Sequence, residues 1–275
     1  MTVVGAIAAP PARRRRDDIT RAGIVLIALW VVAVAAILFA ISRALNAEHL
    51  AVYGSRMASG FLITIRLVVS SVLIGAIISI PVAAGRLSKN RIIGAVAYAY
   101  SYFFRGTPLI AQLFLVYYGA GEFVGVLRET GLWWFFRDAT NCAILSFALN
   151  TAAYQSEILA GAVRNVPRGQ LEAAAALGLH RFVVLRRIVM PQALITALRP
   201  YGNEVVLMVK ASAIASIVTV LDLMGETRFI FSKTYDLSFY LLAAVFYLVL
   251  VEALGRAVNA IERRITRHIQ RTART

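Results

Sequence analysis

A carboxylate stands inside a long apolar stretch of this 275-residue chain. Glu204 lies 13 residues after Pro191, in a stretch that also holds Lys210. If this stretch is a helix, a rise of about 1.5 Å per residue places Glu204 about 20 Å along it. An ionisable group in such surroundings is costly and therefore indicates a functional site. The carboxylate could bind a guanidinium or ammonium group, or it could pair with Lys210 or Arg199 and serve helix packing.

A second group of polar residues falls in the apolar stretch 139–163. Asn150 and Tyr154 are four residues apart, so they share one face of a helix and could line a cavity. Glu157 lies nearer the end of the stretch, which favours a structural or gating role.

The usual residues of a reactive centre are missing from the sequence. It contains no Gly-x-x-x-x-Gly-Lys-Ser/Thr phosphate loop and no nucleophile elbow. The three histidines, His49, His180 and His268, are far apart, and the single cysteine, Cys142, cannot form an intrachain disulfide. We therefore predict no metal site and no catalysis by this chain.

The composition shows what surrounds these polar residues. The chain is 60% hydrophobic and 16% charged, with a mean hydropathy of +0.73, whereas soluble domains are about half apolar and a quarter charged. We predict an all-α integral membrane protein with about six transmembrane helices. The net charge of +15 could suggest nucleic acid. However, the basic residues flank the apolar stretches, so we expect contact with the lipid bilayer and no nucleic acid.

Six apolar stretches are predicted to span the membrane: 24–41, 61–84, 92–119, 139–163, one that starts near residue 192, and 238–258. With the N-terminus in the cytoplasm, the cytoplasmic segments hold 19 Lys and Arg residues and the opposite segments hold 6. This distribution follows the positive-inside rule and predicts that both termini are cytoplasmic. The first stretch could be a signal peptide, but residues 42–46 make a poor cleavage site, so we favour a retained helix.

Four residues interrupt the third stretch: Arg105, Gly106, Thr107 and Pro108. A proline inside a helix removes a backbone hydrogen bond, so we expect a kink there. Arg105 could face a transport pathway or could extend towards the membrane surface, and we favour a structural role.

The loop 164–190 has clear local signals. Pro167 can open a helix, and the residues from Gln170 to Leu177 are mostly strong helix formers. Gly178 can end that helix. A second amphipathic stretch covers 181–188, and we expect Pro191 to break the chain before the next span. The small residues 173–176 could fit a groove in another protein, although the helix could instead lie on lipid.

This loop resembles the EAA loop of ABC-type import permeases. The matching residues are Glu172, Ala173, Ala174, Gly178, Ile188 and Pro191, with Met190 where the family pattern has leucine. Further matches, including Arg105–Leu109 and Gln192, extend the resemblance over residues 58–258 and towards polar amino-acid permeases. Within that branch, Trp134–Arg137 and Asn203–Val205 look most like the histidine/lysine/arginine/ornithine and opine permeases.

The resemblance implies a type I importer fold, with a five-helix core in a permease domain at 58–258. The segment 24–41 would be an extra N-terminal helix, between a basic tail at 1–23 and that domain, and 259–275 would be a second basic tail. The residues expected to couple to an ATPase are Gly169, Glu172, Ala173, Ala174, Gly178, Ile188 and Pro191. The residues expected to line the substrate path are Glu204, Asn203, Asn150, Tyr154 and Glu157.

The resemblance also implies the partners. A cytoplasmic ATPase would bind ATP and magnesium, so this chain would be neither an enzyme nor a cofactor-binding subunit. A second homologous permease, or a second copy of this one, and an extracytoplasmic amino-acid-binding protein would complete an importer in the bacterial inner membrane. The substrate could be arginine, histidine, lysine, ornithine or an opine. The alternative is an ion-coupled secondary amino-acid transporter, which would have its own ion site and often an inverted repeat. The sequence shows no such repeat, and the loop 164–190 would then have no role.

Overall fold

The computed structural model describes residues 21–44 and 47–272, and in these ranges it contains helices and no strands, as predicted. The helices are α1 (Arg21–Ala44), α2 (Ala47–Arg86), α3 (Arg91–Gly106), α4 (Leu109–Glu122), α5 (Val124–Glu129), α6 (Trp133–Phe136), α7 (Ala139–Arg164), α8 (Arg168–Ala176), α9 (Arg181–Val184), α10 (Met190–Ser212), α11 (Leu223–Thr234) and α12 (Ser238–Thr272). A π-helical turn, Leu185–Val189, joins α9 to α10, and a 3₁₀ turn, Ala213–Val218, follows α10.

Helix α1 is a unit by itself. It covers the predicted span 24–41, and residues 24–36 are all exposed. Its 24 residues give a length of about 36 Å, which is enough to cross the hydrocarbon core of a bilayer. Most of the predicted basic tail 1–23 lies outside the described residues.

The second unit is built around α7. This helix packs against α2, α3, α4 and α10, and half of its 26 residues are buried. The apolar core next to it contains Leu67, Leu113, Phe147, Met208 and Val209. Helices α2, α3, α4 and α10 are therefore positioned against α7.

In the described part of the chain, three helices are both long and apolar enough to span a membrane: 47–86, 181–218 and 238–265. Together with α1, the α3–α4 pair and α7, they give the six predicted crossings. Helix α7 is long enough but more polar, because it faces protein. Its buried residues include Ser146, Thr151, Gln155 and Ser156.

The third predicted span is two helices and not one kinked helix. Helix α3 ends at Gly106 and α4 starts at Leu109, with Thr107 and Pro108 in extended conformations between them. Pro108 has no N–H to bond to the carbonyl of Phe104, and the residue before a proline is biased away from helical angles.

The expected chain break at Pro191 is wrong. Helical structure continues from Arg181 to Val218, and Pro191 lies in the first turn of α10. The π-helical turn precedes the proline, and the Met190 N–H donates to the Leu185 carbonyl at its end. A local π-helical adjustment lets a helix continue past a proline, because it gives the neighbouring backbone groups other hydrogen-bond partners.

The mixed-charge segment before the last span also has more structure than the sequence indicated. It forms α11, which packs against α2 and α12 and buries Leu223, Glu226 and Ile230. The last helix continues beyond residue 258 and ends at Thr272, so most of the predicted tail 259–275 is helical.

Candidate functional site

The loop 164–190 has the predicted helix, glycine turn and second helix. Pro167 precedes α8, and Gly178 has a left-handed backbone with φ of +65°. Beyond α8, the Leu179 N–H donates to the Ala174 carbonyl, and the Gly178 N–H donates to the Ala175 carbonyl, at 3.1 and 3.0 Å. These two bonds form a Schellman motif, in which glycine is favoured because other residues are strained at positive φ.

Helix α8 presents nearly all of its surface to the outside. Ala174 is its one buried residue, whereas Gly169, Glu172 and Ala173 are exposed. Large apolar side chains are exposed around it, among them Leu177 at 76% and Phe182 at 61%. Such a patch on a connecting segment is typical of a surface that binds another protein.

Contacts link α8 to the base of α10. The Gln192 side-chain amide donates to the Gln170 side-chain oxygen on α8, and also to the Ile188 carbonyl at 2.8 Å. Ile188 is half-buried within the π-helical turn, so this predicted coupling residue belongs to the joint between the loop and α10.

Glu204 is buried between α7 and α10. Its carboxylate accepts a hydrogen bond of 2.9 Å from the Thr151 hydroxyl, which in turn accepts one from the Gln155 amide at 3.2 Å. Neither Lys210 nor Arg199 pairs with it, and Arg199 bonds instead to Glu262 at 3.0 Å. Glu204 therefore forms no salt bridge with these two cations, and its bond to Thr151 joins α10 to α7.

The neighbouring side chains of α10 form an exposed polar face. Four exposed polar residues follow one another along α10 at spacings of three, four and seven residues: Thr196, Arg199, Asn203 and Lys210. In a membrane helix, such a face points to protein or to water and not to lipid. Asn203 is thus placed beside Glu204 but on a different face of α10.

Asn150 supports the break between α3 and α4. Its side-chain amide donates to the Phe104 carbonyl at 2.8 Å and to the Gln112 side-chain oxygen at 3.0 Å. Gln112 donates to the same carbonyl at 2.9 Å and to the Thr107 hydroxyl at 2.7 Å. Asn150 is 7% exposed, so it is placed in a packed junction.

Sequence reasoning missed Thr151 and Gln155 as partners of Glu204. Their spacing of four residues inside an otherwise apolar stretch was a usable signal, because it puts both on one helix face. Nothing in the sequence indicates that this face meets Glu204 on α10.

A polar cavity of about 300 Å³ opens beside α3 and α7. The side chains that line it include Arg86, Tyr98, Ser101, Tyr102, Arg105 and Glu157. Arg86 donates to Glu157 at 2.5 Å, and its guanidinium lies 5.0 Å from the centre of the Tyr98 ring. The predicted path residue Glu157 is thus paired at this cavity, which we call the α3–α7 cavity.

Arg105 enters the α3–α7 cavity from the last turn of α3. It has no ion pair with a described residue, and its guanidinium lies 5.4 Å from the centre of the Tyr154 ring. It is also close enough to Glu204 for an electrostatic interaction. The structure therefore brings Arg105 and Glu157 to one cavity, with Tyr154 beside Arg105 and Glu204 within electrostatic range of it.

A second buried polar cluster holds α11 against α2. Arg56 donates to Glu226 at 2.7 Å and lies 4.1 Å from the centre of the Phe229 ring. Asp222 accepts from the Gly225 N–H at 2.9 Å and caps α11. Burial disfavours its charged form and raises the pKa of Asp222 to about 6. No local pattern indicates this cluster, because Arg56 and Glu226 are 170 residues apart along the chain.

No three His, Cys, Asp or Glu side chains come together to hold a metal in the parts of the chain that the structure describes.

Known proteins with similar sequences are transport permeases. The chain is 46% identical over 208 residues to the nopaline transport system permease protein NocM of Agrobacterium fabrum, covering 75% of this chain and 86% of NocM. It is 41% identical over 213 residues to the histidine/lysine/arginine/ornithine transport system permease protein HisM of Salmonella typhimurium, covering 77% of this chain and 90% of HisM.

A solved structure described as an amino acid ABC transporter with histidines matches with a TM-score of 0.70 and 31% identity. The match covers 80% of this chain and 99% of that one. The model of the binding-protein-dependent transport system inner membrane component family matches residues 71–267. These findings favour an ABC permease over an ion-coupled secondary transporter. The chain belongs to the binding-protein-dependent transport system inner membrane component family and is a multi-pass membrane subunit of a transport system.

Proposed function

We propose that this permease carries cationic amino acids or opines and is driven by a separate ATPase that binds α8. The observation that carries the proposal is the exposed α8, fixed by its glycine turn beside the base of α10. ATP and magnesium bind to the ATPase, and this chain supplies the path.

The surface of α8 fits a protein groove better than a lipid surface. An interfacial helix needs a broad face of large apolar residues. Helix α8 has one such residue, Leu171, beside exposed Arg168, Gln170 and Glu172. Small alanines allow a partner to approach closely, and Glu172 offers a charge to a basic residue of the ATPase.

A continuous helix leads from this surface to Glu204. Helical structure runs from Arg181 to Val218, so α10 moves as an extension of the loop. The Gln170–Gln192 contact adds a second connection between α8 and α10. A displacement of α8 by the ATPase is therefore passed to the middle of the membrane.

Glu204 gives the path its preference for cations. It is 6% exposed and forms no salt bridge with a described residue, and Arg105 is close enough for an electrostatic interaction. NocM and HisM are described as permeases for nopaline and for histidine, lysine, arginine and ornithine. A negative charge beside the path suits the cationic groups of such substrates.

The assembly needs a second permease and an extracytoplasmic binding protein. The exposed polar face of α10, including Asn203 and Lys210, requires a protein or aqueous neighbour, and a second permease would provide it. The excess of Lys and Arg in the loop 164–190 and near both termini supports a cytoplasmic location for those segments. The α8 surface then faces the ATPase.

Uptake of labelled arginine tests this proposal. Cells would express the chain with its neighbouring transport genes, and histidine, ornithine, opines and glutamine would be added as competitors. We expect ATP-dependent uptake that cationic amino acids or opines block and glutamine does not. Uptake that survives ATP depletion would contradict the ATPase coupling, and block by glutamine would contradict the substrate class.

Glu204→Gln separates the charge from the hydrogen bond, because glutamine can still accept from Thr151. We expect weaker arginine uptake with normal membrane insertion. The matched control is Glu252→Gln, which removes an exposed carboxylate paired with Arg256 on α12. Unchanged arginine affinity in Glu204→Gln would remove Glu204 from the path.

A further inference from the structure

Arg105 is a charged group without a carboxylate partner deep in a membrane-spanning segment. It lies 14 residues after the start of α3, which corresponds to about 21 Å of helix and places it past the middle of a 30 Å hydrocarbon core. A cation at that depth is costly unless it faces water or a counter-charge. Arg105 lies at the α3–α7 cavity, and the carboxylate of Glu204 is close enough to act on it as a counter-charge.

Of the charged residues that line the α3–α7 cavity, Arg105 forms no salt bridge with a described residue. Arg86 and Glu157 neutralise each other through their 2.5 Å hydrogen bond. Arg105 forms no such pair; its guanidinium lies 5.4 Å from the centre of the Tyr154 ring, and the buried carboxylate of Glu204 is close enough for an electrostatic interaction. An aromatic ring holds a guanidinium in position and leaves the N–H groups at its edge free to bind an anion.

We propose that Arg105 binds the α-carboxylate of the transported amino acid in the α3–α7 cavity. A guanidinium forms two parallel hydrogen bonds with a carboxylate, a geometry that lysine cannot reproduce. Ser101 and Tyr102 line the same cavity; the Ser101 hydroxyl is bonded to that of Ser156 at 3.3 Å, and the Tyr102 hydroxyl can accept from the amino group. The volume of about 300 Å³ is sufficient for one amino acid with its water.

This proposal rests on the proposed function and assigns different parts of the substrate to different residues. Arg105 recognises the group that all amino acids and opines share, whereas Glu204 acts on the cationic part that distinguishes one substrate class. The Arg86–Glu157 pair keeps Glu157 from neutralising Arg105.

The test is ligand binding by the purified permease–ATPase complex without the binding protein, so that no other recognition step contributes. The probes are arginine and agmatine, which has the same guanidinium and lacks the carboxylate. We expect the wild type to bind arginine about tenfold or more tightly than agmatine. Arg105→Gln should lose that difference by weakening arginine alone, and Arg105→Lys should restore part of it.

Arg66→Gln is the matched control, because Arg66 is an exposed arginine on α2 that is not among the residues lining the cavity. Thermal unfolding of each variant separates lost binding from lost folding. Equal affinity of the wild type for arginine and agmatine, or an unchanged ratio in Arg105→Gln, would overturn the proposal. Either result is compatible with arginine uptake in cells, so the uptake experiment tests the proposed function independently of this proposal.

Discussion

The side-chain amide of Asn150 donates a hydrogen bond of 2.8 Å to the carbonyl of Phe104, the group that Pro108 leaves without a helical partner. A proline break in a membrane helix exposes a carbonyl that lipid cannot satisfy. Here a neighbouring helix, α7, supplies the donor, and Gln112 supplies a second at 2.9 Å. Side-chain hydrogen bonds therefore stabilise the break between α3 and α4 and hold α3, α4 and α7 together.

Asn150→Leu should destabilise this junction. Leucine has nearly the same size but leaves the Phe104 carbonyl and the Gln112 oxygen with fewer partners, at a cost of about 1–3 kcal/mol. Thermal unfolding in detergent measures the change. Asn203→Leu is the control, since Asn203 is an exposed amide on α10. Equal effects of the two substitutions would show that the Asn150 bonds do not hold the break.

Gly178→Ala should uncouple ATP hydrolysis from transport without unfolding the chain. Its φ of +65° strains any residue with a side chain by about 1–2 kcal/mol and so tilts or frays the end of α8. The expected result is normal expression, with less transport for each ATP hydrolysed in reconstituted vesicles.

Gly131→Ala is a matched control for this substitution. Gly131 has φ of +70° and also has open space around it, but it lies between α5 and α6. The local strain is therefore similar, and the position is outside the loop 164–190. If both variants couple normally, the turn at Gly178 does not position α8 for the ATPase.

Gly75→Ala should disturb Glu204 from a distance. A Cβ atom at Gly75 would lie 2.5 Å from the Thr151 methyl carbon, and the Thr151 hydroxyl donates to Glu204. We expect a loss of roughly 1–3 kcal/mol in the free energy of unfolding, with reduced uptake. Gly54→Ala on the same helix is the control, because its nearest neighbour would be 3.8 Å away.

A second substitution distinguishes this clash from a general packing defect. Thr151→Ser removes the methyl group and keeps the hydroxyl, so it should restore part of the stability and uptake of Gly75→Ala. Failure of the double variant to recover would indicate that the effect does not pass through Thr151.

The stability of the protein should fall as the pH rises through the range from about 4 to 6. The folded pKa of Asp222 is about 6, whereas an unfolded aspartate has a pKa of about 3.9. The folded state therefore binds the proton of Asp222 more tightly than the unfolded state does. The stabilisation that this gives is lost as the pH rises above the folded pKa. For this one group the difference is roughly 3 kcal/mol at full titration.

Unfolding temperatures between pH 4 and pH 7 measure this effect. Asp222→Asn can still cap α11 but cannot titrate, so its unfolding temperature should change less over this range than that of the wild type. Asp138→Asn, at the exposed start of α7, should keep the wild-type slope. If the unfolding temperature of Asp222→Asn changed with pH as much as that of the wild type, other groups would be responsible for the pH dependence.

Short-range signals made the loop 164–190 predictable. Pro167, the alanines of α8 and Gly178 act within one or two helical turns, and their conformations follow from local backbone preferences. Pro191 was misjudged for a related reason. Its local preference is unfavourable in a helix interior, but the preceding π-helical turn makes it an early residue of α10.

The candidate site was less predictable because its contacts join distant parts of the chain. Glu204 was identifiable from its charge and depth, but its bond to Thr151 depends on how α7 and α10 cross. The Arg56–Glu226 pair likewise joins residues 170 positions apart. A hydropathy pattern does not show how two helices are aligned against each other, because the packing of their side chains sets that alignment.

Helix α7 has a consequence for how the protein is made. Its polar residues suit a helix surrounded by protein, yet a helix leaving the ribosome meets the translocon and lipid first. Segments with amides such as Asn150 and Gln155 partition poorly into lipid when alone. We therefore expect α7 to wait at the insertion machinery until α2, α3 and α4 are beside it. In this protein the central helix then enters the bilayer together with its neighbours. The low hydrophobicity of α7 thereby sets the order in which the helices assemble.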